Sequence, residues 1–169
     1  MASSATMPSP VDAPPNVISL LDRLHALSLE QESNIDTSVF RSDNLDTAMK
    51  DKFIALDQDK CHFVYQVARA INAKNIVEAG TSFGVSTIYL GLAVTKNVEA
   101  TGGSGTVIAT EHELSKAELA KKHWAEAGEI VSKHIDLRIG DLRETLKSNL
   151  PTLDMLLLDS KSRPNLLVV

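Results

Sequence analysis

The chain is 169 residues long, with 17 Lys and Arg against 22 Asp and Glu and a formal net charge of -5. That length suits one domain with a real core rather than two, and the dispersed basic residues exclude the footprint of a nucleic-acid binder. Cys61 is the only cysteine, so no intrachain disulfide can form, and no apolar run approaches the ~20 residues that span a bilayer.

Residues 1–16 hold four of the six prolines, Pro8, Pro10, Pro14 and Pro15, among Ser and Ala, and no Lys or Arg occurs before Arg23. A disordered head is expected there. It lacks the basic start of a signal peptide and the arginines of a mitochondrial leader, which makes the cytoplasm the default location. Residues 17–56 read as a helical region. Val17, Leu20, Leu21, Leu24 and Leu27 mark one face of a helix over 17–29, residues 30–46 are polar and weakly patterned, and a second helix is expected over 45–56. A third helix, over 57–72, repeats Phe63, Val64, Val67, Ala68 and Ile71 at intervals of three and four. Cys61 lies within it and reads as a buried, inert thiol.

Residues 75–91 read N-I-V-E-A-G-T-S-F-G-V-S-T-I-Y-L-G. Ile76 and Val77 run into an acid, Glu78; two glycines follow, Gly80 and Gly84, and apolar residues resume at helical spacing at Val85, Ile88, Tyr89 and Leu92. This is a strand, a glycine turn and a helix. Glycines let backbone approach a ligand, and the helix N-terminus offers unpaired N–H groups to an anion. The plainer reading is a turn that serves chain reversal alone. The G-x-G-x-x-G of a dinucleotide site and the Lys and Ser or Thr of a P-loop are both absent.

Residues 96–105 are expected to form a flexible connector, and a strand over 105–110, buried at Val107, Ile108 and Ala109, ends at Glu111. Glu113 competes with Glu111 for any role, but an acid at a helix start has its own structural reason. Ser115 and Glu118 are spaced as a capping box for a helix over 115–128, with Leu119 and Trp124 as apolar surface and Gly128 as the stop. A third strand, over 134–139, alternates Ile135, Leu137 and Ile139. It ends in Gly140 and Asp141, ahead of a helix with Leu142 and Leu146 inward. The fourth strand, over 153–159, reads L-D-M-L-L-L-D, the near-continuous apolar run of a parallel strand covered on both faces. Asp159 stands at its carboxyl end, the edge where open α/β sheets bind ligands.

From about residue 57 to 159 these elements resemble the class I S-adenosylmethionine (SAM)-dependent methyltransferases. The resemblance rests on E-x-G-x-x-x-G at Glu78, Gly80 and Gly84, the acid Glu111 ending strand two, and the G-D-L turn at Gly140. The L-D-M-L-L-L-D-S run is close to that of catechol-type and fungal small-molecule O-methyltransferases. It implies a Rossmann-like α/β sheet over residues 57–169, mostly parallel, with leading N-terminal helices and about four strands plus a short C-terminal one. It also implies methyl transfer from SAM to a hydroxyl of a small molecule, in secondary metabolism, and allows a homodimer. Cofactor contacts carry over to Glu78, Gly80, Thr81, Ser82, Gly84, Ser86, Glu111, Gly140, Asp141 and Asp159. Glu111 would take both ribose hydroxyls with its two oxygens. Gly140 and Asp141 would frame the adenine, although Asp141 serves equally as an N-cap. Because the cofactor carries the difficult chemistry, the protein need only align the acceptor and help remove its proton; Asp159 and Lys161 are the candidate catalytic residues, with His112 also near by position.

Three departures qualify the resemblance. In the metal-dependent branch two further ligands lie downstream of the strand-four acid, whereas no Asp, Glu or His follows Asp159 here, so no metal is expected. A catalytic lysine three residues beyond that acid would fall on Ser162, and Lys161 is one place off. Only four strands are countable where the family has seven. That leaves M-L-L-L as an apolar edge unless residues 165–169, N-L-L-V-V, fold back on it or a partner chain covers it. The rival function is therefore a shortened, non-catalytic methyltransferase-fold protein that binds cofactor or a partner; a dehydrogenase-type dinucleotide binder ranks third because the glycine pattern differs.

Overall fold

The computed structural model describes residues 9–33 and 53–159. Helices α1 (Pro15–Ser33) and α2 (Gln58–Ala70) lead into β1 (Asn75–Ala79) and α3 (Val85–Thr101). Then follow β2 (Thr106–Glu111), α4 (Leu114–Ala127), the short α5 (Glu129–Ser132), β3 (Ile135–Ile139), the short α6 (Leu142–Thr145) and β4 (Met155–Leu158). The strands form one all-parallel sheet in the order β3-β2-β1-β4. The chain winds outward from β1 through β2 to β3, then returns to the other side of β1. That reversal opens a crevice at the carboxyl ends of β1 and β4.

The register explains the core. Ile76, Val107, Ile135 and Met155 align across the sheet, and two residues on so do Glu78, Ala109, Leu137 and Leu157. The apolar members of this face join one hydrophobic cluster with Leu20 and Leu24 of α1, Tyr65 of α2, Ile88 and Leu92 of α3 and Trp124 of α4. Helix α3 is buried on all sides from Val85 to Thr95, which is why its sequence is apolar with little polar face. No helix among the described residues is long and apolar enough to cross a membrane.

Several local expectations change. The head is packed rather than loose from Val11 on: Val11 is buried, Asp12 N–H donates to Tyr65 Oη at 3.2 Å, and Gln66 Nε2 donates to Pro10 O at 3.0 Å. Helix α1 starts at Pro15, where a missing N–H costs nothing. The helix expected over 45–56 lies mostly outside the described residues, and its end, residues 53–56, is not helical. The connector expected over 96–105 is helical as far as Thr101. Buried Asn97 pins that last turn, its Nδ2 donating to Ala68 O at 3.0 Å and Ala73 O at 2.7 Å, and Gly102 at φ 73° ends it. No Ser115 capping box forms, because α4 begins at Leu114 with Glu113 as its N-cap, which puts Ser115 inside the first turn. β4 is covered on one face only among the described residues: Met155 and Leu157 pack inward, while Leu156 and Leu158 are 45% and 57% exposed. It is the apolar edge strand that the strand count implied. The expected tail strand over 165–169 lies outside the described residues, as does Lys161.

Candidate functional site

The strand order brings the carboxyl ends of β3, β2, β1 and β4 side by side, so Gly140 and Asp141, Glu111, the glycine turn and Asp159 lie along one edge. The turn between β1 and α3 holds three left-handed residues, Gly80 (φ 96°), Ser82 (φ 51°) and Gly84 (φ 76°). Only Ser82 is strained by having a Cβ there. At Gly84 even a Cβ is excluded: it would lie 2.5 Å from Trp124 Nε1 and 2.8 Å from Ala120 Cβ. Trp124 Nε1 donates to Gly84 O at 2.9 Å, and His123 Nδ1 donates to Phe83 O at 2.9 Å, so α4 grips the turn from behind. From the sheet, Thr81 N–H donates to Thr110 O at 2.9 Å.

Glu78 does not face the open edge. It is fully buried, and its carboxylate accepts from Thr81 Oγ1 at 2.8 Å, Ser86 Oγ at 2.6 Å and Thr87 Oγ1 at 2.5 Å. No Lys, Arg or His among the described residues forms an ion pair with it. Burial raises its pKa, against the three hydroxyl donors that favour the ionised form, and burial wins. A carboxyl raised in the fold stabilises it fully below its ordinary value near 4.5, and that stabilisation is lost as pH rises through the raised value. Glu78→Gln should therefore flatten this part of the pH dependence. Urea unfolding of both chains between pH 4 and 8 checks it, with the parent expected to lose ground relative to the variant as pH rises.

Glu111 joins the second strand to the turn. Its Oε2 accepts the Ser82 N–H at 2.7 Å and its Oε1 the Glu113 N–H at 2.8 Å, and the residue is buried at the edge with 9% exposure. Each oxygen keeps acceptor capacity for a further donor. Beside it, Gly140 N–H donates to Glu111 O at 2.9 Å. Asp141 is an N-cap: its carboxylate accepts from Arg143 N at 2.9 Å and from the Arg143 guanidinium at 2.5 Å, and that pairing holds its pKa down to about 2. Asp159 is exposed beyond β4, and its N–H donates to Ala79 O at 3.0 Å. It lines an open cleft together with Ile54, Ala55, Leu56, Thr81, Ser82, Phe83, Val85 and Ser86. His112 is exposed on the turn after β2.

Two features of the edge escape a reading of the sequence. Ile139, 40% exposed, pairs in register with Glu111 and presents an apolar surface beside its carboxylate; strand alternation alone had pointed it inward. Residues 54–56 form a cleft wall, and behind them Phe53 packs on Phe83 of the turn with ring centroids 4.6 Å apart. An apolar F-I-A-L looked like the end of a helix, so nothing local marked it.

The family described as a methyltransferase domain matches residues 77–165. A catechol O-methyltransferase of Niastella koreensis is 28% identical over 115 residues, covering 66% of this chain and 48% of that protein. The chain thus spans about half the length of the curated relative it matches. Among solved structures, the O-methyltransferase TomG of Streptomyces achromogenes, involved in tomaymycin synthesis and solved in complex with SAM, is 23% identical with a TM-score of 0.56, over 83% of this chain and 62% of that one. The SAH-bound methyltransferase PaMTH1 of Podospora anserina is 16% identical with a TM-score of 0.57, over 87% of this chain and 50% of that one. At these identities the likeness is one of fold: the four-stranded parallel sheet with flanking helices is the Rossmann-like sheet that the sequence suggested.

Proposed function

Because the chain belongs to the methyltransferase-domain family, which matches it over residues 77–165, we propose that it takes part in SAM-dependent methyl transfer to a hydroxyl of a small molecule. One observation carries this reading. The Glu111 carboxylate is held by two backbone N–H groups against a turn with two left-handed glycines, at the carboxyl edge of a parallel sheet. A carboxylate so fixed, with acceptor capacity to spare, suits a pair of vicinal ribose hydroxyls.

The residues present fit the cofactor. Glu111 would hold the ribose, Gly140 and the exposed Ile139 would border the base, and the turn from Gly80 to Gly84 with the start of α3 would meet the amino-acid end. Thr81 and Ser86 already donate their hydroxyls to Glu78, so they and Glu78 would shape the turn more than touch the ligand. Asp141, engaged by Arg143, would act mainly as the cap that sets the loop after Gly140. When bound, SAM supplies a methyl group on a sulfonium that is already a good leaving group. Asp159, which lines the cleft, would orient the acceptor hydroxyl by accepting its hydrogen bond, and its carboxylate would take the proton that leaves. A phenol-like acceptor has a pKa of ~10, so such help matters at neutral pH. Lys161 remains a second candidate for that task.

The finer parts of the proposal are a role in secondary metabolism, supported by the neighbour that serves tomaymycin synthesis, a cytoplasmic location and a homodimer. Calorimetric titration of the chain with SAM tests the reading. Binding is expected, and Glu111→Ala should weaken it by about 1.5–3 kcal/mol, the range for lost hydrogen bonds to a charged group. A folded chain that ignores SAM would sink the proposal, and unchanged affinity in the variant would remove Glu111 from the site.

A further inference from the structure

Residues 53–56 are an extended strap without regular secondary structure, so their backbone N–H groups need partners from elsewhere. For Phe53 and Ala55 those partners are side chains of α1. Phe53 N–H donates to Gln31 Oε1 at 2.8 Å and Ala55 N–H donates to Ser28 Oγ at 2.8 Å. Ser28, buried to 3% exposure, is itself steered by donating to Glu32 Oε1 at 3.1 Å, one helical turn on. The far side of the strap meets the turn: the Phe53 ring stacks on Phe83, and Ile54, Ala55 and Leu56 line the cleft opposite Thr81, Ser86 and Asp159. Its end is tied to α2, with Cys61 Sγ donating to Leu56 O at 3.4 Å.

We propose that Ser28 and Gln31 of α1 are positioning residues, which hold the strap at residues 53–56 in place as one wall of the cofactor cleft. The helix ahead of the sheet then tunes ligand affinity without touching ligand, and it does so through two backbone hydrogen bonds. This inference rests on the proposed SAM reading.

The test compares four full-length variants with the parent. Ser28→Ala and Gln31→Leu each remove one acceptor, Ser28→Thr restores the hydroxyl, and Thr95→Ala removes a hydrogen bond of similar kind, Thr95 Oγ1 to Ile130 O, between α3 and α5. Hydrogen exchange over residues 53–56 and calorimetric affinity for SAM are read for each. Ser28→Ala and Gln31→Leu should speed exchange in the strap and weaken SAM binding about 3–10-fold, the equivalent of one lost hydrogen bond. Ser28→Thr should restore both, and Thr95→Ala should leave SAM affinity unchanged. Faster strap exchange with unchanged affinity overturns the inference, as does an equal loss of affinity in Thr95→Ala. Should Ser28→Ala fail to fold, Gln31→Leu decides. A parent that does not bind SAM overturns the proposed function, and this inference with it, whereas a binding parent with indifferent variants overturns the inference alone.

Discussion

Gly84→Ala should destabilise the fold by about 2–5 kcal/mol, the sum of left-handed strain at ~1–2 kcal/mol and overpacking at ~1–3 kcal/mol. Both causes are local and separable. The backbone sits at φ 76°, and the new methyl would press on the Trp124 indole and Ala120 from 2.5 and 2.8 Å. The indole cannot simply swing away, because Trp124 is 4% exposed and its Nε1 donates to the carbonyl of the very residue that would be changed. In a Trp124→Ala background, itself worth about 3–5 kcal/mol, the clash with the indole should vanish, and Gly84→Ala should cost only the strain, about 1–2 kcal/mol, plus the remaining contact with Ala120. Urea unfolding of the parent, both single variants and the double variant closes the cycle. Additive costs would show that the Trp124 indole is not what demands glycine.

That cycle also marks where the sequence was legible. The two glycines of E-x-G-x-x-x-G were visible as a turn between a strand and a helix, yet the close contact that excludes a side chain at Gly84 is with a tryptophan forty positions later, which no local pattern reveals. Strand ends read well: the acids Glu111 and Asp159 and the Gly140 turn all reach the same edge, because an apolar run ending in a polar residue is a local signal that a parallel sheet turns into a shared rim. Polar composition misled where a single buried side chain overrode it, as when Asn97 held α3 helical through a stretch that looked like a loop. Apolar periodicity misled at residues 53–56, where the N–H groups of Phe53 and Ala55 bond to α1 side chains instead of within a helix. The motif position of Glu78 implies a cofactor contact but not the buried network of three hydroxyls in which its carboxylate sits.

Glu78→Leu should cost about 3–5 kcal/mol, because it leaves three buried hydroxyl donors without their acceptor. The loss arises from the donors left behind: Thr81, Ser86 and Thr87 are all buried, and an unsatisfied buried hydroxyl costs about 1–3 kcal/mol. Thr87 can recover part by back-bonding within the first turn of α3, which keeps the total below the simple sum. Removing donors and acceptor together is a different matter, since replacing both partners by apolar groups is nearly neutral. The combined variant Glu78→Leu, Thr81→Val, Ser86→Ala, Thr87→Val should therefore regain most of the lost stability in urea unfolding; a variant still as unstable as Glu78→Leu would mean that the carboxylate, not its partners, sets the conformation of the turn. The regained fold is expected to bind SAM about as the parent does, because backbone groups of the turn and the Glu111 carboxylate then carry the ligand. If it is stable and does not bind, the buried carboxyl and its three hydroxyl partners are needed to shape the turn for the ligand.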